Sequence, residues 1–242
     1  MSKLKDMYGD WMMQAKPLRF IIYINFIVWI LAAISILYDK KSEYMTPSKA
    51  YDILDKSVVE YTLFPGESMC TATNVAHGVY LTARHCIRDV DTSYIVNKNG
   101  DFVSVIDTQL SDDKDWAIIY TLADPEHVVP LPIDRDFGEL KVGDRIAYLG
   151  YPFPLTRYYS EGIVANVTRD YRGRTQLPDE VLLPLTSLRG GPGSSGSAII
   201  DMRTGHIIGV LSTGIRSSEG AVLGVGVTSI EDLPAIFGEV SG

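Results

Sequence analysis

Gly190 to Ile200 reads GGPGSSGSAII, and the reading of this stretch decides the fold. Four glycines, one proline and three serines run straight into an apolar strand. Glycine adopts backbone conformations closed to other residues and lets a second chain approach closely. Such a loop can hold the Ser195 hydroxyl outward while the amides of Gly193 and Ser195 point into one small space. A hydroxyl beside two convergent N–H donors is what acyl transfer needs, one to attack and two to hold the oxyanion that develops. Taken alone, G-x-S-G also suits a flexible turn, so the rest of the chain has to decide.

Two other stretches agree with it. Thr82-Ala83-Arg84-His85-Cys86 ends the apolar run Val79-Tyr80-Leu81 and delivers a histidine at its edge. Asp115-Trp116-Ala117-Ile118-Ile119 opens another strand with an acid at its lip. Asp112 and Asp113 are the rival acids, but only Asp115 directly precedes the apolar run. The order His85, Asp115, Ser195 is one of those in which a nucleophile–base–acid triad occurs. With T-A-x-H-C, D-x-A and G-x-S-G all present in that order, the sequence resembles the trypsin-like serine peptidases.

The resemblance implies a role for each residue. Ser195 would attack the scissile carbonyl, His85 would take and return the proton, and Asp115 would hold the imidazole in the right tautomer. Gly193 would join Ser195 as an oxyanion donor. Ser212, Thr213 and Gly214 would form the edge that pairs with a substrate backbone, because Gly209 to Gly214 matches the family's G-x-x-S-x-G strand. The resemblance also joins Cys70 to Cys86, the only two cysteines, in a disulfide. Closing such a loop would stabilise the fold by about 3 kcal/mol and would persist in an oxidising compartment. Two buried free thiols are the alternative. Ser194 stands where zymogen-type relatives carry an aspartate, so other contacts must set this loop. The reverse order of the α/β-hydrolases fails, since His206 follows Ser195 by only eleven residues.

Ahead of these motifs, Phe20 to Tyr38 (FIIYINFIVWILAAISILY) carries no charge, and Asn25 is its one strongly polar side chain. As a helix it would span roughly 28 Å, close to the ~30 Å hydrocarbon core of a bilayer. A buried helix would normally show a polar face, and a signal peptide would have a shorter apolar run with small residues after it. An uncleaved anchor fits better. Lys3, Lys5, Lys16 and Arg19 precede it, while Lys40, Lys41 and Lys49 follow; that slight bias puts residues 1–19 in the cytoplasm and the domain on the extracytoplasmic side.

Of the chain's 22 basic and 30 acidic residues, four and two fall within residues 1–38; the remainder carries 18 against 28, a formal charge of −10. Such a domain repels nucleic acid. The four histidines, His77, His85, His127 and His206, show no paired ligand spacing, so neither a metal nor another cofactor is expected.

Residues 39–57 read as a stem, with Thr46-Pro47 starting a short helix that places Ala50, Ile53 and Leu54 on one side. From 58 to 242 the pattern is all-β. Short strands are expected at Val58–Leu63, Cys70–Val75, Val79–Ala83, Tyr94–Val96, Phe102–Ile106 and Trp116–Leu122. A second set follows at Ile146–Leu149, Gly162–Val167, Val181–Pro184, Ser197–Ile200, Ile207–Ser212 and Val222–Val227. Twelve strands suit two six-stranded antiparallel barrels, about 58–135 and 140–228. Ser229-Ile230-Glu231-Asp232 is capping-box-like and predicts a short C-terminal helix carrying Leu233, Ile236 and Phe237.

The second half is similar to the HtrA/Deg-type bacterial peptidases. Val142-Gly143-Asp144, Gly150-Tyr151-Pro152-Phe153-Pro154-Leu155, Gly162-Ile163-Val164 and Gly224-Val225-Gly226-Val227 carry that likeness. The chain is expected to depart from the branch in lacking its trailing PDZ domain, and it places Ser197 where the usual pattern has a second glycine. The expectation is a membrane-tethered serine endopeptidase acting on a protein or peptide. A catalytically silent, anchored binding module is the alternative. Arg189 either lines a specificity pocket and invites acidic side chains or is a solvated loop charge, the slightly better reading; Leu211 points to an uncharged pocket.

Overall fold

The computed structural model describes residues 23–33, 44–63, 68–88, 90–134, 140–153, 157–166, 185–216 and 222–234. The chain divides into two compact units, Met1–Tyr44 and Met45–Gly242. In the first, residues 23–33 form a helix, α1, on which Phe26, Trp29 and Leu31 are exposed. The rest of the expected span, 20–22 and 34–38, lies outside the described residues. Among the described residues no helix is long and apolar enough to cross a membrane.

The second unit opens with α2 (Pro47–Asp55), which starts as its sequence dictates. Thr46 is the N-cap, its Oγ1 accepts from Lys49 N–H at 3.3 Å, and Pro47 stands in the first turn. Ala50 and Leu54 are fully buried. Asp55, at the end of α2, pairs with both Lys98 and Arg157.

Twelve strands follow: β1 (Val58–Thr62), β2 (Ser68–Ala76), β3 (Val79–Thr82), β4 (Tyr94–Val96), β5 (Phe102–Leu110) and β6 (Ala117–Thr121), then β7 (Arg145–Gly150), β8 (Tyr158–Asn166), β9 (Leu185–Thr186), β10 (Ala198–Asp201), β11 (Ile207–Arg216) and β12 (Val222–Thr228). They close two antiparallel barrels, β1-β2-β3-β6-β5-β4 and β7-β8-β9-β12-β11-β10, so the second repeats the order of the first. Closure gives each of these strands two paired neighbours, which shortens the open sheet edge that could template aggregation. Tyr61, Leu81, Ile95 and Ile118 are fully buried on the strands of the first barrel, while Ile146, Tyr148, Val164, Ile199, Leu211 and Val225 form one buried cluster in the second.

Three strands run about four residues further than the sequence pattern predicts, and each is a corner. β5 pairs with β4 through Ser104, shifts register between Val105 and Asp107, and continues along β6 to Leu110. A register shift of this kind bends a strand so that it serves two neighbours. β8 begins four residues early at Tyr158 and passes from β7 to β9 with a shift between Val164 and Asn166. β11 runs on past Ser212 to Arg216. The strand expected at Val181–Pro184 lies outside the described residues. Residues 229–234 form a turn rather than the start of a helix. Leu233 N–H donates to Ile230 C=O at 3.1 Å, and Pro234 has no N–H with which to bond Ile230 in an α-helical manner. Ile236 and Phe237 lie outside the described residues.

Candidate active site

Antiparallel pairing puts the candidate histidine and acid at one end of one barrel. Thr82 pairs with Ala117 at the end of β3 and the start of β6. Three residues beyond Thr82 stands His85; two before Ala117 stands Asp115. His85 sits in a single 3-10 turn, Arg84–Cys86, fixed by Cys86 N–H to Ala83 C=O at 3.1 Å and by the Cys70–Cys86 disulfide. The cysteine pairing that the family resemblance implied is therefore present. Cys70, His85 and Cys86 lie within metal-ligand reach of one another, but both sulfurs are spent in the disulfide.

Asp115 grips His85 at two points. Oδ2 lies 2.8 Å from the ring Nδ1, and Oδ1 accepts the His85 backbone N–H at 2.9 Å. Ser212 Oγ donates to Oδ2 as well. Burial opposes ionisation of Asp115, but the hydrogen bonds from His85 and Ser212 outweigh it and hold the carboxyl below its ordinary value of 3.8. The rivals Asp112 and Asp113 are exposed.

The loop bearing Ser195 comes from the second barrel and is sewn to the first. Thr71 N–H donates to Ser195 C=O at 2.9 Å, and Gly196 N–H donates to Leu211 C=O at 2.8 Å. Gly196 has φ +86°, and a Cβ there would stand 2.2 Å from both Thr71 O and Thr82 Oγ1. Only glycine lets this loop lie so close to the strand that carries His85. Gly193 has φ +93°, with Tyr151 O 2.3 Å from where its Cβ would be. Ser195 is half-buried, whereas Ser194 is fully buried.

The contacts that replace an aspartate at position 194 are hydroxyls. Ser194 Oγ accepts Gly191 N–H at 3.4 Å and lies 3.4 Å from Tyr148 Oη, which also donates to Arg189 C=O. Burial pushes the Tyr148 hydroxyl up to about 12.

Among the residues expected at the substrate, Ser212 has a different partner. The β11–β12 register passes from Leu211↔Val227 to Thr213↔Gly226, which leaves Ser212 as the extra residue with its hydroxyl on Asp115. Thr213 is half-buried and Gly214 is exposed with open space beside it. Arg189 is exposed; its backbone N–H donates to Ser160 Oγ at 3.2 Å. Sequence reading missed the Ser212–Asp115 bond and the hydroxyls of Thr71 and Tyr148. None of them has a local pattern to betray it, because each partner is distant in sequence.

The profile of the trypsin-like peptidase domain matches residues 70–210. The chain is 30% identical over 137 residues to Protease Do-like 1, chloroplastic, of Arabidopsis thaliana, covering 53% of this chain and 30% of that protein. It is 28% identical over 155 residues to the periplasmic serine endoprotease DegP of Escherichia coli (strain K12), covering 58% and 31%. The chain thus spans about three tenths of the length of these relatives. The solved structure of the HtrA-type protease AlgW with decapeptide superposes with a TM-score of 0.61 at 20% identity, covering 76% of this chain and 64% of that one. At that identity the likeness speaks for the fold.

Proposed function

The chain belongs to the trypsin-like peptidase domain family, and on that premise we propose that it is a serine endopeptidase tethered to a membrane. The observation that carries the reading is the two-point grip of Asp115 on His85, beside a Ser195 loop hydrogen-bonded to β2, the neighbour of the strand that leads to His85. Ser195 Oγ attacks the peptide carbonyl while His85 takes its proton through the ring nitrogen opposite Asp115. Asp115, ionised at neutral pH, fixes the tautomer and stabilises the imidazolium. The N–H groups of Gly193 and Ser195 receive the oxyanion, His85 returns the proton to the leaving amine, and water releases the acyl group by the same route.

Peptide or protein is the substrate class in this reading, supported by the family and by the decapeptide bound to the AlgW structure. Thr213 and Gly214 offer the substrate a strand edge. Ser212 adds its backbone to the same edge while its hydroxyl holds Asp115. Arg189, exposed and bonded through its backbone to Ser160 and Tyr148, acts as a solvated charge. Residues 20–38 hold the domain at the membrane, supported by nineteen uncharged residues and by the apolar surface of α1. The disulfide supports an extracytoplasmic position.

The full chain in detergent tests this with an unfolded protein substrate. Wild type cleaves it into peptides, and Ser195→Ala does not. Equal cleavage by both overturns the assignment of the nucleophile; cleavage by neither favours the silent binding module.

A further inference from the structure

Each carbonyl from Pro192 to Ser195 in the nucleophile loop is held by an identifiable donor. Phe153 N–H donates to Pro192 C=O at 2.8 Å, and Thr71 Oγ1 donates to Gly193 C=O at 2.8 Å. Ser197 donates to Ser194 C=O twice, from Oγ at 2.7 Å and from N–H at 3.1 Å. Thr71 N–H takes Ser195 C=O at 2.9 Å. In a trans peptide the N–H points opposite to the C=O of the same plane. Holding Pro192 C=O therefore turns Gly193 N–H away from Phe153, and holding Ser194 C=O turns Ser195 N–H away from Ser197. The Gly193–Ser194 plane between them is held at both ends, its C=O by Thr71 and its N–H by Gly191 C=O at 2.9 Å.

Two of these donors are buried side-chain hydroxyls, and both Thr71 and Ser197 are fully buried. The proton of Thr71 has one destination, because Tyr151 N–H already donates to Oγ1 at 2.9 Å. Gly150 leaves the room for them. A Cβ at Gly150 would stand 2.4 Å from Ser197 Oγ and 3.2 Å from Thr71 Oγ1. Ser197, the departure from the second glycine, thus fills a space that Gly150 leaves open.

We propose that Thr71 and Ser197 are positioning residues whose hydroxyls lock the carbonyls of Gly193 and Ser194: Ser197 fixes the plane that carries the Ser195 amide, and Thr71 fixes the plane between it and the Gly193 amide, so that the two amides keep their mutual aim at the oxyanion before substrate arrives. The inference rests on the peptidase reading above. It explains how a loop with serine at position 194 is set without a charge pair. Thr71 comes from β2 in the first barrel and its loop from the second, so the lock also ties the two barrels at the cleft.

The test uses the full chain with Thr71→Val, Thr71→Ser and Ser197→Ala, reading kcat and KM on a peptide amide alongside the rate of fluorophosphonate labelling. Removing one oxyanion donor outright costs about 10²–10³ in rate, so misaiming one costs less. Thr71→Val should lower kcat about 5–30-fold with KM within about twofold, since Ser194 N–H still reaches Gly191 C=O, and Thr71→Ser should restore it to within about twofold. Ser197→Ala should lose about 3–10-fold, since Ser197 N–H still holds Ser194 C=O. A folded Thr71→Val with wild-type kcat overturns the proposal, as does a loss carried by KM or one that serine does not rescue. Should Thr71→Val fail to fold, an unchanged kcat in Ser197→Ala overturns it instead. Unlabelled wild type brings down the peptidase reading itself, and the lock with it; labelled wild type with equally fast variants brings down the lock alone.

Discussion

His85 and Ser212 converge on one atom: His85 Nδ1 lies 2.8 Å from Asp115 Oδ2, and Ser212 Oγ donates to that same oxygen. The acid is thereby held from the first barrel by the imidazole and from the second by a hydroxyl. Ser212→Ala should leave the His85 contact in place and cost roughly 1 kcal/mol of transition-state stabilisation, about fivefold in kcat. Asp115→Asn should cost about 10⁴, because the imidazole loses the acceptor that fixes its tautomer. Steady-state kinetics on one peptide substrate compares the two; equal losses would show that Ser212 acts elsewhere.

Asp115 also predicts an acid dependence of stability. Its folded-state pKa is lowered, so its contribution is fully present above the ordinary value of 3.8 and is lost as pH falls through the depressed folded value. The stability difference between wild type and Asp115→Asn, measured by urea unfolding, should hold near neutrality and shrink below about pH 3.8. A gap that stays constant down to strong acid contradicts this.

Asp55 joins α2 to both barrels. It pairs with Lys98, beside β4, and with Arg157, at the entry to β8, whose guanidinium lies 6.0 Å from the Tyr51 ring centroid. Asp55→Asn should lower the unfolding free energy by about 1–2 kcal/mol. In a double-mutant cycle with Lys98→Met, the pair should show coupling that simple additivity would rule out.

Gly196→Ala should be among the most damaging small substitutions. The new methyl meets Thr71 O and Thr82 Oγ1 at 2.2 Å, in a backbone conformation that side chains disfavour by about 1–3 kcal/mol before any clash. Thermal unfolding should fall and activity should vanish; a variant with native stability and rate would contradict the close approach of loop and strand.

Much of this was legible because the chemistry is local. His85 and Asp115 each sit in a five-residue pattern beside an apolar run, and antiparallel pairing of β3 with β6 brings the two together. Strand cores such as Ile146–Leu149 and Tyr94–Val96 were equally plain. What the sequence hid depends on partners far along the chain. Tyr158 and Tyr159 extend β8 by pairing with Gly150 and Leu149, which no local alternation signals. Ser212 looked like a substrate edge from its motif. Its bond to Asp115, 97 residues away, follows from a register shift that only the folded β11–β12 pair displays.

The most direct measurement is the mass of the protein after reaction with a fluorophosphonate, followed by peptide mapping. One phosphonyl group should be found on Ser195 of wild type, and none on His85→Ala at the same exposure. Modification at another serine, or labelling indifferent to the loss of His85, would contradict the account.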